Sequence, residues 1–177
     1  LLPEEERGEL DRLINEWADL AYRAEDFDRS DEIYRILIQE CPQSPLADDA
    51  RLILAESLRF GGQLEPAREA FAALAADEKA DDFVRQRALV HLLDLSSEAN
   101  RWNEVVAAGR QLESQFPDSQ HRLYVRYRLG EALLHLKQYQ QARDILQKLQ
   151  IELAADTASA PGWWPEAWLL LAEADYW

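Results

Sequence analysis

The sequence predicts an all-α fold, a right-handed solenoid of stacked antiparallel helix hairpins. Three observations carry this reading. Glycine is scarce, 6 in 177 residues, whereas Leu, Ala, Glu, Arg and Gln, all good helix formers, occupy most positions. No segment sustains the apolar–polar alternation of a half-buried strand. Two ladders of side chains then recur with one period. In the first, an aromatic or leucine stands three residues before a small side chain: Phe27 and Ser30, Leu64 and Ala67, Trp102 and Val105, Tyr139 and Ala142, at spacings of 37, 38 and 37. The second runs Trp17, Leu54, Leu92, Leu129 and Leu171, at 37, 38, 37 and 42.

Proline and small polar clusters at "CPQSPLADD", "FPDSQ" and "DTASAPGWWPE" mark where one helix ends and another begins. They bound four hairpins at approximately 11–44, 48–81, 86–119 and 123–154, and a terminal half-repeat helix at 165–177, within a single domain of residues 1–177. In the fourth hairpin Val125, Leu129, Ala132, Leu133 and Leu136 form an apolar stripe at helical spacing, "KQY" makes the turn, and Ala142, Ile145, Leu146 and Leu149 form the facing stripe. One hairpin cannot bury both stripes, but stacked hairpins can, which is the logic of a solenoid. Val105 is the largest occupant of the small position, so the third hairpin is expected to splay slightly.

These positions resemble the tetratricopeptide repeat, with its Leu-Gly pair, turn aromatic, small residue and closing proline. Leu129-Gly130, Tyr139, Ala142 and Leu146 match it in the fourth unit, and Leu54-Ala55, Leu64, Ala67 and Phe71 in the second, which lacks the proline. Phe27, Ser30, Tyr34 and Pro42 carry the first unit; Trp102, Val105, Leu112 and Pro117 carry the third. The resemblance covers residues 11–154 plus the terminal half unit. The period exceeds the usual repeat of about 34. The longer connections look like those of a bacterial subgroup that includes cell-division and outer-membrane assembly proteins, which implies the envelope or periplasm ahead of the cytoplasm.

Composition excludes some alternatives. Hydrophobic residues at 47% with 30% charged exclude a disordered tail, and no apolar run approaches the roughly 20 residues that span a bilayer. The start, "LLPEEERGEL", lacks the basic and apolar regions of a signal peptide, and the chain has no methionine, so a mature or excised segment is expected. "EAWLLLAEADYW" stops at Trp177 where a turn should follow, which reads either as a terminal capping helix or, because Asp-Tyr-Trp is a poor polar cap, as the cut end of a longer array. The formal charge of −15 argues against nucleic acid as a partner. It is unevenly spread: residues 1–80 hold 20 acidic against 9 basic groups, and residues 85–143 hold 6 against 9. Arg122, Arg126 and Arg128 therefore keep an anion or nucleic-acid module as a lesser alternative.

Enzyme chemistry finds little support. His91, His121 and His135 have no His or Cys one helical turn away, so no metal set is expected. Asp48-Asp49 and Asp81-Asp82 sit at helix beginnings, where carboxylates oppose the positive end of the dipole. Gly61-Gly62 falls at a hairpin turn, not in a phosphate-cradling loop. Lone Cys41 follows an apolar run and reads as a small buried side chain. Neither catalysis nor a cofactor is expected.

Binding is the class that remains. In proteins similar to this one, first helices line a concave groove that receives a peptide or a partner domain. That resemblance makes the flanks of each Leu-small pair the candidates. They are Arg12, Asn15, Asp19, Tyr22 and Arg23 in the first unit and Asp49, Leu52, Glu56, Arg59 and Phe60 in the second. Arg87, Val90 and Asp94 follow in the third, and Tyr124, Tyr127, Glu131 and His135 in the fourth. Aromatic and Arg side chains are common binding anchors. The expected function is a noncatalytic protein–protein interaction scaffold, the alternative being a repeat segment of a larger multidomain enzyme or regulator. A related subfamily clamps the C-terminal carboxylate of chaperones with paired Lys/Arg and Asn. Here Asp19 and Ile53 stand where Asn is expected, and Arg87 with neighbouring His91 leaves the basic pair incomplete, so that partner is not expected. Trp163, Trp164 and Trp168 have two readings: a lid folded over the fourth hairpin, or an exposed patch forming a partner or dimer contact.

Overall fold

The computed structural model describes residues 4–155 and 161–176. Asp156 to Ala160 of the "DTASAPGWWPE" stretch, and Trp177, lie outside the described residues. Among the described residues every regular element is a helix: α1 (Glu4–Arg23), α2 (Phe27–Glu40), α3 (Pro45–Phe60), α4 (Leu64–Ala76), α5 (Asp82–Glu98), α6 (Trp102–Gln115), α7 (Arg122–His135), α8 (Tyr139–Ala155) and α9 (Trp164–Tyr176). The chain is an all-α helical repeat.

The first ladder marks the start of a helix each time. Phe27, Leu64, Trp102 and Tyr139 are the first residues of α2, α4, α6 and α8. Two residues before each stands a left-handed backbone: Glu25 (φ 60), Gly62 (φ 75), Asn100 (φ 56) and Lys137 (φ 59). All four turns carry the same two hydrogen bonds. The left-handed residue donates three residues back, as in Lys137 N–H to Leu134 O at 2.8 Å, and the next residue donates five back, as in Gln138 N–H to Leu133 O at 2.8 Å. This left-handed cap satisfies carbonyls that a helix end would leave orphaned. The residue after it opens the next helix by accepting from the small ladder position, for example Ala142 N–H to Gln138 O at 3.0 Å. The turn in the fourth hairpin is thus Leu136–Lys137–Gln138, one residue earlier than "KQY", with Tyr139 already helical.

The small positions are small because helices meet there. Ser30, Ala67, Val105 and Ala142 are all buried. Ser30 Oγ donates to the Ala18 carbonyl at 3.1 Å, which ties α2 to α1. A methyl added to Gly109 would lie 2.6 Å from Leu129 Cγ, and one on Gly130 2.4 Å from Leu146 Cδ2. Those glycines let α6, α7 and α8 approach closely.

The chain divides into two compact units, one ending at Ala88 and the other beginning at Leu89. In the first, Ile14, Ala18, Ile33, Tyr34, Leu37, Cys41 and Ala50 form a core shared by α1, α2 and α3. In the second, Leu133, Leu134, Ala142, Leu146, Leu149, Leu153, Ala167, Leu171 and Ala174 join α7, α8 and α9. The second ladder is less uniform than its spacing suggests. Leu129 and Leu171 are buried, Leu54 and Leu92 are half-buried, and Trp17 is 46% exposed. In α1 the small neighbour Ala18 takes the core position instead, and the indole lies outside it.

Candidate functional site

In the first unit, α1 presents Arg12, Tyr22 and Arg23 to solvent, and Tyr22 meets Phe27 edge-on with ring centroids 5.3 Å apart. Asn15 and Asp19 are half-buried and already engaged. Asn15 Nδ2 donates to Asp19 at 3.3 Å, and the Tyr34 hydroxyl donates to Asp19 at 2.7 Å. Burial, then that bond and the carboxylate charge, raise the Tyr34 pKa well above the ordinary tyrosine range. Asp19 thus secures α2 to α1, and little of it is left for a ligand.

The α3 residues divide sharply. Phe60 is 88% exposed at the helix end, with half-buried Arg59 beside it. Leu52, expected on the binding face, is 2% exposed and belongs to the core. The reason is that α3 is covered by α2 on one side and α4 on the other, so a leucine facing either partner is enclosed. Glu56 receives Arg87 Nη2 at 2.5 Å, which joins α5 to α3, and the Arg87 guanidinium also lies 5.8 Å from the Phe83 ring centre. Asp49 is exposed; partial desolvation and the carboxylates of Asp81 and Asp48 raise its pKa, against the opposing pull of Arg87.

The equivalent positions of the second unit are covered by the chain itself. The Tyr124 hydroxyl donates to Asp94 at 2.5 Å, and burial followed by this bond pushes its pKa far up. Trp163, from the turn before α9, stacks on Tyr127 (centroids 4.8 Å apart, planes 20°) and meets Tyr124 edge-on at 6.1 Å. Trp163 and Trp164 also pack against the α7–α8–α9 core. Glu131 pairs with Arg128 at 2.7 Å. His135, exposed at the end of α7, stacks on Trp102 with centroids 3.9 Å apart and planes 6° from parallel. Val90 is half-buried. The tryptophan–tyrosine stack joins residues 36 or more apart, beyond the reach of periodicity; the added length of the "PGWW" connection was its only signal.

The arginines that suggested an anion site have carboxylate partners. Arg122 pairs with Glu152 at 3.0 Å and Arg126 with Glu113 at 2.8 Å; Arg126 also contacts Glu152. Burial works against the Arg126 charge, but the two glutamates outweigh it and hold its pKa above the ordinary value. The same arginines outweigh burial at Glu152 and lower its pKa. Among the described residues no group of three His, Cys, Asp or Glu side chains is arranged to hold a metal, and no helix is long and apolar enough to cross a membrane.

Comparison with known proteins follows this architecture. The family model for the tetratricopeptide repeat matches residues 49–78 and 124–152. No curated protein matches the chain. Among solved structures, the chain is similar to a tetratricopeptide repeat protein from Parabacteroides merdae ATCC 43184 (16% identity, TM-score 0.71), covering 93% of this chain and 59% of that one. It therefore spans under two thirds of that protein's length. It also resembles the MamA protein (14% identity, TM-score 0.67, 94% and 81% covered). A third likeness is to nearly identical TPR-like repeats of a Podosopora anserina putative kinesin light chain (17%, TM-score 0.64, 92% and 84% covered). At these identities the likeness is one of fold.

Proposed function

We propose that this chain, two segments of which match the tetratricopeptide repeat, is a noncatalytic binding module; such repeats generally mediate protein–protein interaction. It receives a peptide or partner segment on the first-helix face of its first unit. The observations that carry this are the exposure of Tyr22 (55%) near the end of α1 and of Phe60 (88%) at the end of α3, with Arg12 and Arg23 also exposed on α1. Exposed aromatic and guanidinium groups bury area and still offer directional contacts. The second unit supports the same placement, because Trp163 already occupies its two tyrosines. Partner apolar side chains pack on Tyr22 and Phe60, and charge contributes orientation and on-rate more than affinity. The 22 acidic and 11 basic groups within residues 1–88 favour a basic segment.

The test is a displayed random-peptide library selected on the 177-residue chain, followed by titration of the enriched peptides. Tyr22→Ala and Phe60→Ala remove exposed rings and leave the helices intact, and each should weaken binding by about tenfold, the loss of one anchor. Gln147→Ala, on exposed α8 surface, should not. Equal affinity in all three variants would remove the first-unit face from consideration.

A further inference from the structure

Trp163 lies on α7 as the side chain of a bound ligand would. Its indole stacks on Tyr127 and meets Tyr124 edge-on. The two tyrosines stand one helical turn apart with ring centroids 6.5 Å apart, and together they make an aromatic corner. The corner is peculiar to this repeat. Steps of 37, 38 and 37 residues back from Tyr124 and Tyr127 reach Arg87 and Val90, Asp49 and Leu52, and Arg12 and Asn15. No other repeat places two rings there, so the solenoid itself does not require them.

The corner is held in place by groups other than Trp163. The Tyr124 hydroxyl is fixed by Asp94, and the Arg128 guanidinium lies 5.9 Å from the Tyr124 ring centre. Tyr127 packs against the α7–α8–α9 core. The helix α9 has its own anchors as well. Ala167, Leu171 and Ala174 dock it into that core, and Arg143 donates to Asp175 at 2.7 Å and to the Ala174 carbonyl at 2.8 Å. Trp164 meets Trp168 edge-on at 5.9 Å. Trp163 itself is half-buried, and it follows exposed Gly162, where an added methyl would meet nothing within 4 Å. The indole can therefore leave the corner through a local change in the connection, with α7 and α9 staying as they are.

We propose that Tyr124 and Tyr127 form a second binding site, for a partner segment that presents a tryptophan, and that Trp163 is its internal ligand. The occupant already seated there states the chemistry: one ring face stacked on Tyr127 and an edge contact with Tyr124, the two geometries that aromatic quadrupoles favour. A partner's tryptophan must displace Trp163, which its short connection holds at an effective concentration in the millimolar range. The site is thus masked by the chain itself, and its apparent affinity falls by the fraction of molecules in which the corner is open. It shares no residue with the Tyr22 and Phe60 surface, and either reading can fail without the other.

The probe is the acetylated and amidated hexapeptide Pro-Gly-Trp-Trp-Pro-Glu, the sequence of residues 161–166, titrated into the isotope-labelled 177-residue chain by nuclear magnetic resonance. Trp163→Ala should bind it with a Kd of about 1 mM or tighter, and the intact chain should bind at least about fivefold more weakly. Shift changes should centre on Tyr124 and Tyr127, while the amides from Ala167 to Ala174 stay in place in both chains. Alanine at the peptide's first tryptophan, or Tyr127→Ala added to Trp163→Ala, should weaken binding at least about fivefold. Equal affinity of the two chains overturns the proposal. So does a Trp163→Ala chain that keeps the parent's circular dichroism spectrum and binds no peptide. Undocking of α9 in Trp163→Ala overturns it too, because Trp163 would then be a core residue and not a displaceable ligand.

Discussion

Gly130→Ala measures how closely the fourth hairpin is packed. Two effects oppose each other. Relieving a glycine inside α7 should stabilise the helix by about 1 kcal/mol. The new methyl, however, would sit 2.4 Å from Leu146 Cδ2 and 2.6 Å from Cγ, where ordinary contact is 3.4–4 Å. Leu146 is buried against α7 and α9 and has little room to move. Overpacking of this kind costs about 1–3 kcal/mol, and an overlap of about 1 Å belongs at the upper end. The net expectation is a loss of about 1–2 kcal/mol. Urea unfolding followed by circular dichroism reads it, with hydrogen exchange on α7 and α8 reporting locally if the units unfold separately. Leu146→Ala alone should lose about 2–5 kcal/mol, but in that background Gly130→Ala should become neutral or stabilising, because the methyl enters space the leucine has left. A Gly130→Ala protein about 1 kcal/mol more stable than the parent would refute the close approach of α7 and α8.

Three further outcomes follow. Lys137→Gly should stabilise the chain by about 1 kcal/mol because a left-handed backbone strains any residue with a Cβ, whereas Gly62→Ala should destabilise it by a similar amount despite open space around it; thermal unfolding distinguishes the two signs. Tyr34→Phe should cost about 1–2 kcal/mol through loss of the bond to Asp19. The raised Tyr34 and Tyr124 pKa values mean that their contribution is fully present below pH 10.0, the unfolded value, and is lost as pH rises through the folded values; a 295 nm titration should find these two phenols ionising last. Glu152 behaves oppositely: with its folded pKa below 4.5, its contribution holds above that pH and disappears as acid takes pH through the folded value, and Glu152→Gln should flatten that part of the acid unfolding curve.

The repeat fold was legible because its local rule is strict. A left-handed cap followed by a shared cap residue forces an identical turn, so Phe27, Leu64, Trp102 and Tyr139 fall at the same structural position. What periodicity could not supply was how deeply each apolar residue of a ladder is buried. Trp17 occupies the place of Leu54, yet it is 46% exposed, with the Arg29 guanidinium 5.1 Å from its ring centre. Leu52 shows the converse, a position expected at the surface that lies inside because α3 has neighbours on two sides. Charged candidates were misleading for a related reason. Asp19, Glu56 and Glu131 have the right composition for a binding face, but each is spent on a bond to Tyr34, Arg87 or Arg128. Trp163 reaching Tyr124 and Tyr127 depends on the path of a connection, which no ladder encodes.

The binding face is tested most directly by nuclear magnetic resonance of the isotope-labelled chain titrated with a library-selected peptide. The account predicts that shift changes concentrate at Arg12, Tyr22, Arg23, Arg59 and Phe60, while Tyr124, Tyr127 and the Trp163 indole stay in place. Changes centred on α4, α6 or α8, or a peptide that displaces Trp163 from its tyrosines, would contradict it.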